Sequence, residues 1–338
     1  MKEDIRMRRK IMSILLAASL LMSGCQAAPK AESAGTAGEG SGAAASYPAD
    51  NLRIIVPFAT GGALDVQVRT VARYLADELG TNIIVENKKG AGGIVGMSDY
   101  LKEEPNTNTI LLINSYLLTG TPLNTKVQYT TEDFVPITDL KMIPYVLFTC
   151  PEKSGIHTLE ELKAAGSVKF GSDGPGTFLY TGTTALLGNL GITGATVTHD
   201  GMTAGLSNMV TGVTDVMLST TLDQATRGYV KEGQLAPLVY LGDEDYPADD
   251  VFTEGIPSAR SLGIDMDYYG FYYFAIRSGT DQEIVDKLYT AINNVYQNAD
   301  FQKDAQELGI LFQGKNGAEI NTFIEEESKT VAKYTAQK

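Results

Sequence analysis

Residues 54–65 read IIVPFATGGALD, a short apolar run that passes through one proline into a Thr-Gly-Gly loop and reaches Asp65. The run is typical of a buried strand, and the residues after Asp65 have the spacing of an amphipathic helix. Gly61 and Gly62 allow backbone N–H groups to approach a ligand closely, and the N-terminus of a helix adds partial positive charge. The stretch therefore predicts a strand, a loop able to hold an anion, and a helix.

Strand-like and helix-like segments alternate along the chain. The first series is LRIIV (52–56), a helix over 66–80, NIIVE (82–86), a helix over 92–104 and TILLI (109–113). A second series runs from YVLFT, near residue 146, to LAPLVYL, and three helices follow the strand-like FYYFAI at 271–276. Alternation of this kind predicts an α/β fold with mostly parallel sheets and helices on both faces.

Two α/β series in one chain predict two lobes. The chain is expected to cross into the second lobe near residue 147 and to return near 272. Lobe 1 would then comprise residues 47–146 and 273–338, and lobe 2 residues 147–272. Paired crossovers leave a cleft between the lobes, where open sheets present the carboxyl ends of their strands.

The first glycine loop is not specific when taken alone. It lacks the G-K-[ST] ending of a P-loop and the G-x-G-x-x-G of a dinucleotide fingerprint. A tight turn with Asp65 as the helix N-cap explains it slightly better than a binding role. A second loop of the same design, GSDGPGT at 171–177, follows another strand and precedes another helix. Two such loops, one in each lobe, would face each other across the cleft, although the second also fits an ordinary turn.

The N-terminus has the features of an export signal. RMRRK (6–10) is basic, an apolar segment follows, and small residues precede Cys25, so residues 1–24 are predicted to be a signal peptide. LMSGC (21–25) resembles a bacterial lipobox in which Cys25 is acylated, whereas the alternative is a plain signal peptide with an incidental cysteine. Residues 25–46 are rich in Gly, Ala and Ser and predict a flexible linker that tethers the folded part to the outer face of the cell membrane.

Composition disfavours several classes of function. Residues 1–24 carry five basic and two acidic side chains, a net +3 of the total −14, so the remainder carries −17 and nucleic acid is not expected as a partner. With Cys25 used for lipid, Cys150 has no disulfide partner and is expected to be a small buried apolar residue. Two histidines, His157 and His199, are too few for most metal sites, and no G-x-S-x-G elbow indicates a hydrolase.

The segment YPADNLRIIVPFATGGALDVQVRTVARYLADELGTNIIVENKKGAGGIVG (47–96) resembles the start of the Bug, or TctC-type, substrate-binding proteins of tripartite tricarboxylate transporters. Those proteins share an [IV]-V-P-F-x-x-G-G-x-x-D motif followed by V-E-N-[RK]-x-G-A-G-G. Matches at EPNTNTILLIN, KFGSDGPGT, GVTDVML and EGIPSARSLGI extend the resemblance from Tyr47 to Lys338.

The resemblance implies a two-lobed Venus-flytrap receptor of the periplasmic-binding-protein-like type. Such a receptor needs no cofactor, is not an enzyme, and hands a small carboxylate to the large and small membrane subunits of a secondary importer. Asp65 would cap the helix, organise water or meet a polar part of the ligand, without touching the carboxylate directly. The ligand-binding residues implied are Phe58, Ala59, Thr60, Gly61, Gly62 and Asp65 in the first loop, Ser172, Gly174, Gly176 and Thr177 in the second, and His199 and Ser219.

Departures from the family pattern bear on the far end of the ligand. VMLSTT offers Ser219 and Thr220 where many relatives have an acid or amide, so the far end is expected to be recognised without a protein charge. THDG replaces a commoner Tyr-Lys-Gly, so His199 either reaches the cleft or is a solvated loop residue. The aromatic DYYGFYYF (267–274) is interpreted as core. Two other functions stay open, a receptor for an ABC importer or sensor and a secreted serine hydrolase.

The lipoprotein prediction can be tested directly. Because an acyl chain on Cys25 would hold the exported protein at the membrane, we expect it to partition with membranes, and a Cys25→Ala form to be released or left unprocessed. Cell fractionation and mass spectrometry of the mature N-terminus measure this, with Cys150→Ala as the control that leaves the lipobox intact. An unmodified mature N-terminus at any other residue contradicts the prediction.

Overall fold

The computed structural model of the protein describes residues 46–335, apart from residues 144, 243 and 267 and the side chain of residue 63. The signal peptide, Cys25 and the linker up to residue 45 lie outside these residues, so their assignments stay predictions. Within the described range, no helix combines the length and the apolar character that crossing a bilayer requires.

The first sheet contains five strands: β1 (Leu52–Val56), β2 (Ile83–Asn87), β3 (Thr109–Asn114), β4 (Phe134–Ile143) and β10 (Gly270–Arg277). Their order is β2-β1-β3-β10-β4, with β1 parallel to β2 and β3, and β10 antiparallel to both of its neighbours. The helices connecting the first strands are α1 (Ala63–Leu79), α2 (Ile94–Tyr100), α3 (Tyr116–Thr119) and α4 (Thr121–Asn124).

The second sheet repeats this plan with β5 (Tyr145–Thr149), β6 (Ser167–Ser172), β7 (Thr193–Thr198), β8 (Val216–Thr220) and β9 (Ala236–Tyr240). The order is β7-β6-β8-β5-β9, with β6 parallel to β7 and β8, and β5 antiparallel to both of its neighbours. Its helices are α5 (Pro151–Ser154), α6 (Leu159–Ala165), α7 (Phe178–Asn189), α8 (Met202–Val210) and α9 (Gln224–Lys231). Three helices end the chain: α10 (Gln282–Gln297), α11 (Ala299–Leu308) and α12 (Gly317–Thr335).

The two-lobed α/β fold is confirmed, and we call the first sheet with its helices lobe 1 and the second sheet with its helices lobe 2. Each sheet is mixed rather than mostly parallel, because the strand that enters from the other lobe, β5 or β10, runs antiparallel to its neighbours. The strand assignments put the changes of sheet between Ile143 and Tyr145 and before Gly270, a few residues earlier than expected.

The sequence pattern did not indicate β4, a strand of ten residues. Pro136 interrupts its apolar pattern, and proline has no N–H to donate to a central ladder. The structure resolves the conflict by placing β4 at the edge of the sheet, where only β10 pairs with it. An edge strand tolerates the missing donor, so Pro136 indicates that β4 is an edge strand and does not end the strand.

The central strands of the first sheet, β1, β3 and β10, are buried on both faces, whereas the edge strand β2 is partly exposed. Ile54 and Val56 belong to the core between the sheet and α1, whereas Ile55 packs in the core on the opposite face. Full burial of each such side chain contributes about 1.5–3 kcal/mol, which explains the continuous apolar run in β1. Cys150 is buried and free, as predicted.

The last helix, α12, contacts both lobes. It packs against β4 at its start and against α7 of lobe 2 further along. In its middle, Glu327 accepts hydrogen bonds from the hydroxyls of Ser115 (2.8 Å) and Thr119 (3.1 Å). Although part of the residue stays accessible, burial of the carboxyl raises its pKa from 4.5 to about 8, and the two hydroxyl bonds only partly offset the effect.

This buried acid predicts a pH dependence of stability. The folded protein keeps the Glu327 proton up to about pH 8, whereas the unfolded chain loses it near pH 4.5. Unfolding therefore releases a proton in this interval, and the free energy of unfolding falls by at most about 1.4 kcal/mol per pH unit as pH rises. Glu327→Gln removes that loss, so its stability relative to wild type should increase from pH 5 to pH 8, as measured by denaturant titration at each pH.

The matched control is Glu325→Gln, an exposed residue on the same helix. It should follow the wild-type pH profile. If wild type and Glu327→Gln gave parallel profiles between pH 5 and pH 8, the carboxyl would be ionised in the folded protein and the buried-acid interpretation would be wrong.

Candidate functional site

The first loop, residues 57–62, joins the carboxyl end of β1 to α1. Phe58 is half-buried, and the next four residues, Ala59, Thr60, Gly61 and Gly62, are exposed. Gly62, not Asp65, is the N-cap of α1, and no side chain caps it. Because the first N–H groups of a helix have no acceptor within the helix, this end of α1 presents free donors beside the exposed loop.

Asp65 holds the first loop in place through its buried carboxylate. It is 2% exposed, its carboxylate accepts the N–H of Gly61 at 2.8 Å, and Arg69 Nε donates to it at 3.0 Å. Burial alone would raise the pKa of Asp65, but hydrogen bonds from Arg69, Gly61 and Asn87 outweigh it and hold the pKa below its usual value. The acid is therefore neutralised by its own neighbours, which removes the difficulty of an acid beside an anion site.

Asn87 is a supporting residue that the sequence reasoning missed. It ends β2, where its side-chain amide donates to the carbonyl of Phe58 at 3.2 Å and accepts a hydrogen bond from Arg69 at 2.9 Å. The available signal was its place in the VEN motif, directly after a strand that neighbours β1. Asp65, Arg69 and Asn87 together hold the first loop in one conformation.

The second loop joins β6 to α7 in lobe 2. The Ser172 hydroxyl is fully buried, bonds to the Thr196 hydroxyl at 2.9 Å and accepts the N–H of Gly174 at 3.2 Å. Gly174 and Gly176 have φ values of 106° and 82°, which a side chain would strain. A Cβ on Gly176 would also lie 2.8 Å from Asn124 Cβ, so glycine is needed where this loop meets α4 of lobe 1.

Thr177 is the N-cap of α7. Its hydroxyl donates to the carbonyl of Gly174 at 2.7 Å and accepts the N–H of Tyr180 at 3.4 Å. In contrast to α1, this helix N-terminus is already capped by a side chain. The second loop therefore forms a capped turn, as one of the two sequence interpretations expected. A ligand would have to compete with Gly174 and Tyr180 for the Thr177 hydroxyl.

His199 is not a solvated loop residue, because its side chain is fully buried under α8. Its Nδ1 lies 3.3 Å from Asp173 of the second loop, and neither ring nitrogen makes a hydrogen bond of good geometry within the described structure. Space for the ring comes from Gly205, where a Cβ would lie 2.6 Å from Nε2. His199 therefore supports the second loop from behind.

Ser219 lies in the interior of lobe 2. It is fully buried, and its hydroxyl bonds to the Thr226 hydroxyl at 2.7 Å and contacts Met202 Sδ at 3.3 Å. The alternation of side chains along β8 turns it towards α8 and α9. Its hydroxyl is thus engaged within lobe 2 and not with either loop.

Tyr272 of β10 lies near residues of both loops. The Phe58 ring packs edge-on against the Tyr272 ring with centroids 5.8 Å apart. From the other lobe, the Asp173 carboxylate lies near enough to affect the phenol: burial raises the pKa of Tyr272 to about 12, a hydrogen bond with Asn114 opposes this, and Asp173 adds to the rise. Tyr272, interpreted from sequence as core, is therefore both buried and a neighbour of each loop.

A further contact between the lobes involves Tyr116 at the start of α3. Its hydroxyl bonds to the Thr181 hydroxyl at 2.8 Å and donates to the carbonyl of Gly176 at 3.3 Å, and its ring packs against Phe178. Lobe 1 thus holds the second loop through both Tyr116 and Asn124. The sequence carried no signal for these residues, because their role depends on the relative position of two distant lobes.

Two observations bear on the chemistry that this arrangement supports. The Ser172 hydroxyl bonds to Thr196 and not to His199, and His199 faces Asp173, so this serine has no imidazole base beside it. Among the described residues, no group of three His, Cys, Asp or Glu side chains is arranged to hold a metal ion. What remains is a set of backbone amides and hydroxyls from two lobes, which suits a small anion.

Known proteins share both the sequence and the fold. BugT of Bordetella pertussis is 29% identical over 266 residues, which cover 75% of this chain and 78% of BugT. MatC of Rhodopseudomonas palustris with bound malate superposes with a TM-score of 0.72 at 22% identity, covering 85% of this chain and 99% of MatC. An R. palustris protein with adipate gives a TM-score of 0.73 at 18% identity, covering 86% and 98%.

The structural likeness establishes the fold, which is that of two-lobed solute-binding proteins. The family assignment comes from the sequence, since residues 67–336 match the family described as the tripartite tricarboxylate transporter family receptor. That match takes in α1 from Gln67 onwards, both sheets except for β1, and the three last helices. This chain therefore belongs to the receptors of the tripartite tricarboxylate transporter family.

Proposed function

We propose that this protein is an extracytoplasmic receptor that binds a small carboxylate between its lobes and delivers it to a secondary importer with a large and a small membrane subunit. The observation that carries the proposal is the convergence of two glycine-rich βα loops, one from each lobe, on Tyr272. The bound malate of MatC and the bound adipate of the other R. palustris protein support a carboxylate as the ligand class.

In this proposal the first loop supplies the principal anion contacts. Residues 59–62 are exposed, and the N-terminus of α1 lacks a side-chain cap. The N–H groups of Gly61 and Gly62 already bond to Asp65 and to the Ala59 carbonyl, so the first N–H groups of α1 are the donors offered to a carboxylate. Ser172, Gly174, Gly176 and Thr177 would complete the site from lobe 2 when the lobes close. Asp65 and His199 would act indirectly, by holding the two loops, and Ser219 is the weakest candidate for contact.

We also propose that the receptor is anchored by an acylated Cys25. A tether of 21 residues behind Cys25 has a typical span of about 25 Å, at 5–6 Å times the square root of the residue number. Such a tether would keep the receptor near the membrane subunits that accept its ligand. The lipobox resemblance at 21–25 supports the anchor, and the fractionation experiment described above tests it.

Ligand binding should compact the protein, because only a closed form can make contacts to both loops at once. A thermal-shift panel of mono-, di- and tricarboxylates, amino acids and nicotinate-type acids should identify at least one stabilising carboxylate. Small-angle scattering with that compound at saturation should then give a smaller radius of gyration than the empty protein. Binding with an unchanged radius would count against the two-lobe clamp, and no response to any carboxylate would count against the ligand class.

The Thr177→Val substitution distinguishes a hydroxyl that binds the ligand from one that only caps α7. Removing the N-cap should lower the stability of the empty protein by about 1 kcal/mol. If the hydroxyl also binds the ligand carboxylate, affinity should fall about 10- to 100-fold, since a hydrogen bond to a charged group is worth about 1.5–3 kcal/mol. Calorimetry with the carboxylate from the panel, alongside melting of the empty protein, measures both effects.

Thr177→Ser is the matched control, because it keeps the hydroxyl and should preserve both stability and affinity to within a few-fold. A Thr177→Val protein with a lower melting temperature and unchanged affinity would leave Thr177 a cap alone and remove it from the binding residues.

A further inference from the structure

Lys141 of β4 is a buried cation without an ion pair. The residue is 5% exposed, and its Nζ donates to the side-chain oxygen of Gln67 on α1 at 3.2 Å. No carboxylate in the described part of the chain lies within 4.0 Å of Nζ. An ammonium group can donate three hydrogen bonds, so one amide oxygen leaves most of its capacity unused.

A charge in this position costs free energy unless something compensates it. Burial lowers the pKa of Lys141 to about 8, and the carboxylate of Asp223 in lobe 2 opposes the lowering from a distance. Asp223 is itself committed as the N-cap of α9, where it accepts the N–H of Thr226 at 2.8 Å and the Thr226 hydroxyl at 3.0 Å. With its pKa about 8, Lys141 stays mostly charged at neutral pH, and Asp223 is not free to approach it.

The strand register places Lys141 beside the candidate site. Tyr272 lies directly opposite Asn114 of β3 on one side and Lys141 of β4 on the other. Residues directly opposite each other on neighbouring strands project to the same face of a sheet. Asn114, Tyr272 and Lys141 therefore form one polar row across the cleft-facing end of the first sheet.

This row connects to the first loop through Tyr272, whose ring contacts Phe58. From Tyr272 to Lys141 is one strand spacing, about 4.8 Å. A ligand carboxylate at the first loop would therefore lie a few carbon atoms away from the Lys141 ammonium. β4 thus carries a positive charge close to Tyr272, whereas the sequence analysis expected the far end of the ligand to be recognised without a protein charge.

We propose that Lys141 binds the second carboxylate of a dicarboxylate whose first carboxylate lies at residues 58–62, and that it makes the receptor selective for dicarboxylates over monocarboxylates. The inference rests on the proposed function of the same site. Ligand binding would replace the distant attraction of Asp223 by a direct ion pair, and Tyr272 would pack against the carbon chain between the two carboxylates. Gln67, which also donates to the Leu308 carbonyl at 2.8 Å, positions the ammonium.

Matched pairs of acids test the proposal. Calorimetry compares succinate with butyrate and adipate with hexanoate, which differ within each pair by one carboxylate. Wild type should bind at least one dicarboxylate about tenfold or more tightly than its partner. Lys141→Met, which keeps the apolar stem and removes the charge, should lose about 10- to 100-fold in affinity for that dicarboxylate and little for the monocarboxylate.

Lys126→Met is the matched control, since it removes the same charge from an exposed position in lobe 1 and should leave the selectivity unchanged. Circular dichroism and melting establish that each variant is folded, and Lys141→Gln serves if the methionine variant is not. If Lys141→Met lost affinity equally for both acids of a pair, Lys141 would only stabilise the site, and the proposal would be overturned. Wild type binding both members equally, or binding none of the four acids, would overturn it. The receptor function would be contradicted as well only if no carboxylate of the thermal-shift panel bound.

Discussion

The structure depends on two strands that cross between the lobes and then insert into the middle of a sheet. β5 lies between β8 and β9, and β10 lies between β3 and β4, so neither sheet is complete without the strand delivered by a crossover. Backbone hydrogen bonds on both edges of each inserted strand tie the lobes into one folding unit. The loops after β1 and β6 both lie near Tyr272 of the inserted strand β10.

The candidate site uses the two loops differently. The N-terminus of α1 is open, with Asp65 turned back onto the Gly61 amide and neutralised by Arg69, whereas the N-terminus of α7 is closed by Thr177. One lobe therefore offers donors that are free in the empty protein, and the other offers donors that are already in use. A ligand that docks on lobe 1 first and recruits lobe 2 afterwards fits this asymmetry, since the lobe 2 contacts require rearrangement.

Local patterns explain why the sequence predicted the fold and much of the site. Strand, glycine loop and helix are encoded within short stretches, so β1, the first loop and α1 could be located without tertiary information. Three features could not be: the edge position that lets Pro136 sit in a strand, the choice of Gly62 over Asp65 as N-cap, and the burial of His199. The burial of Lys141 could not be predicted for the same reason. A lysine is recognised as buried only from its neighbours, and these come from α1 and the other lobe.

The C-terminal helix limits how the molecule can move. α12 has 19 residues and a length of roughly 28 Å. It packs on β4 near its start, while near its end Lys333 pairs with Asp265 at 2.8 Å and the Tyr334 ring packs against Tyr268. A stiff helix attached to both lobes would confine any rotation between them to an axis close to the helix. The largest displacements should therefore occur on the β2 side of the first sheet, the edge farthest from β4, and a membrane partner that distinguishes the loaded from the empty receptor would find the clearest difference there.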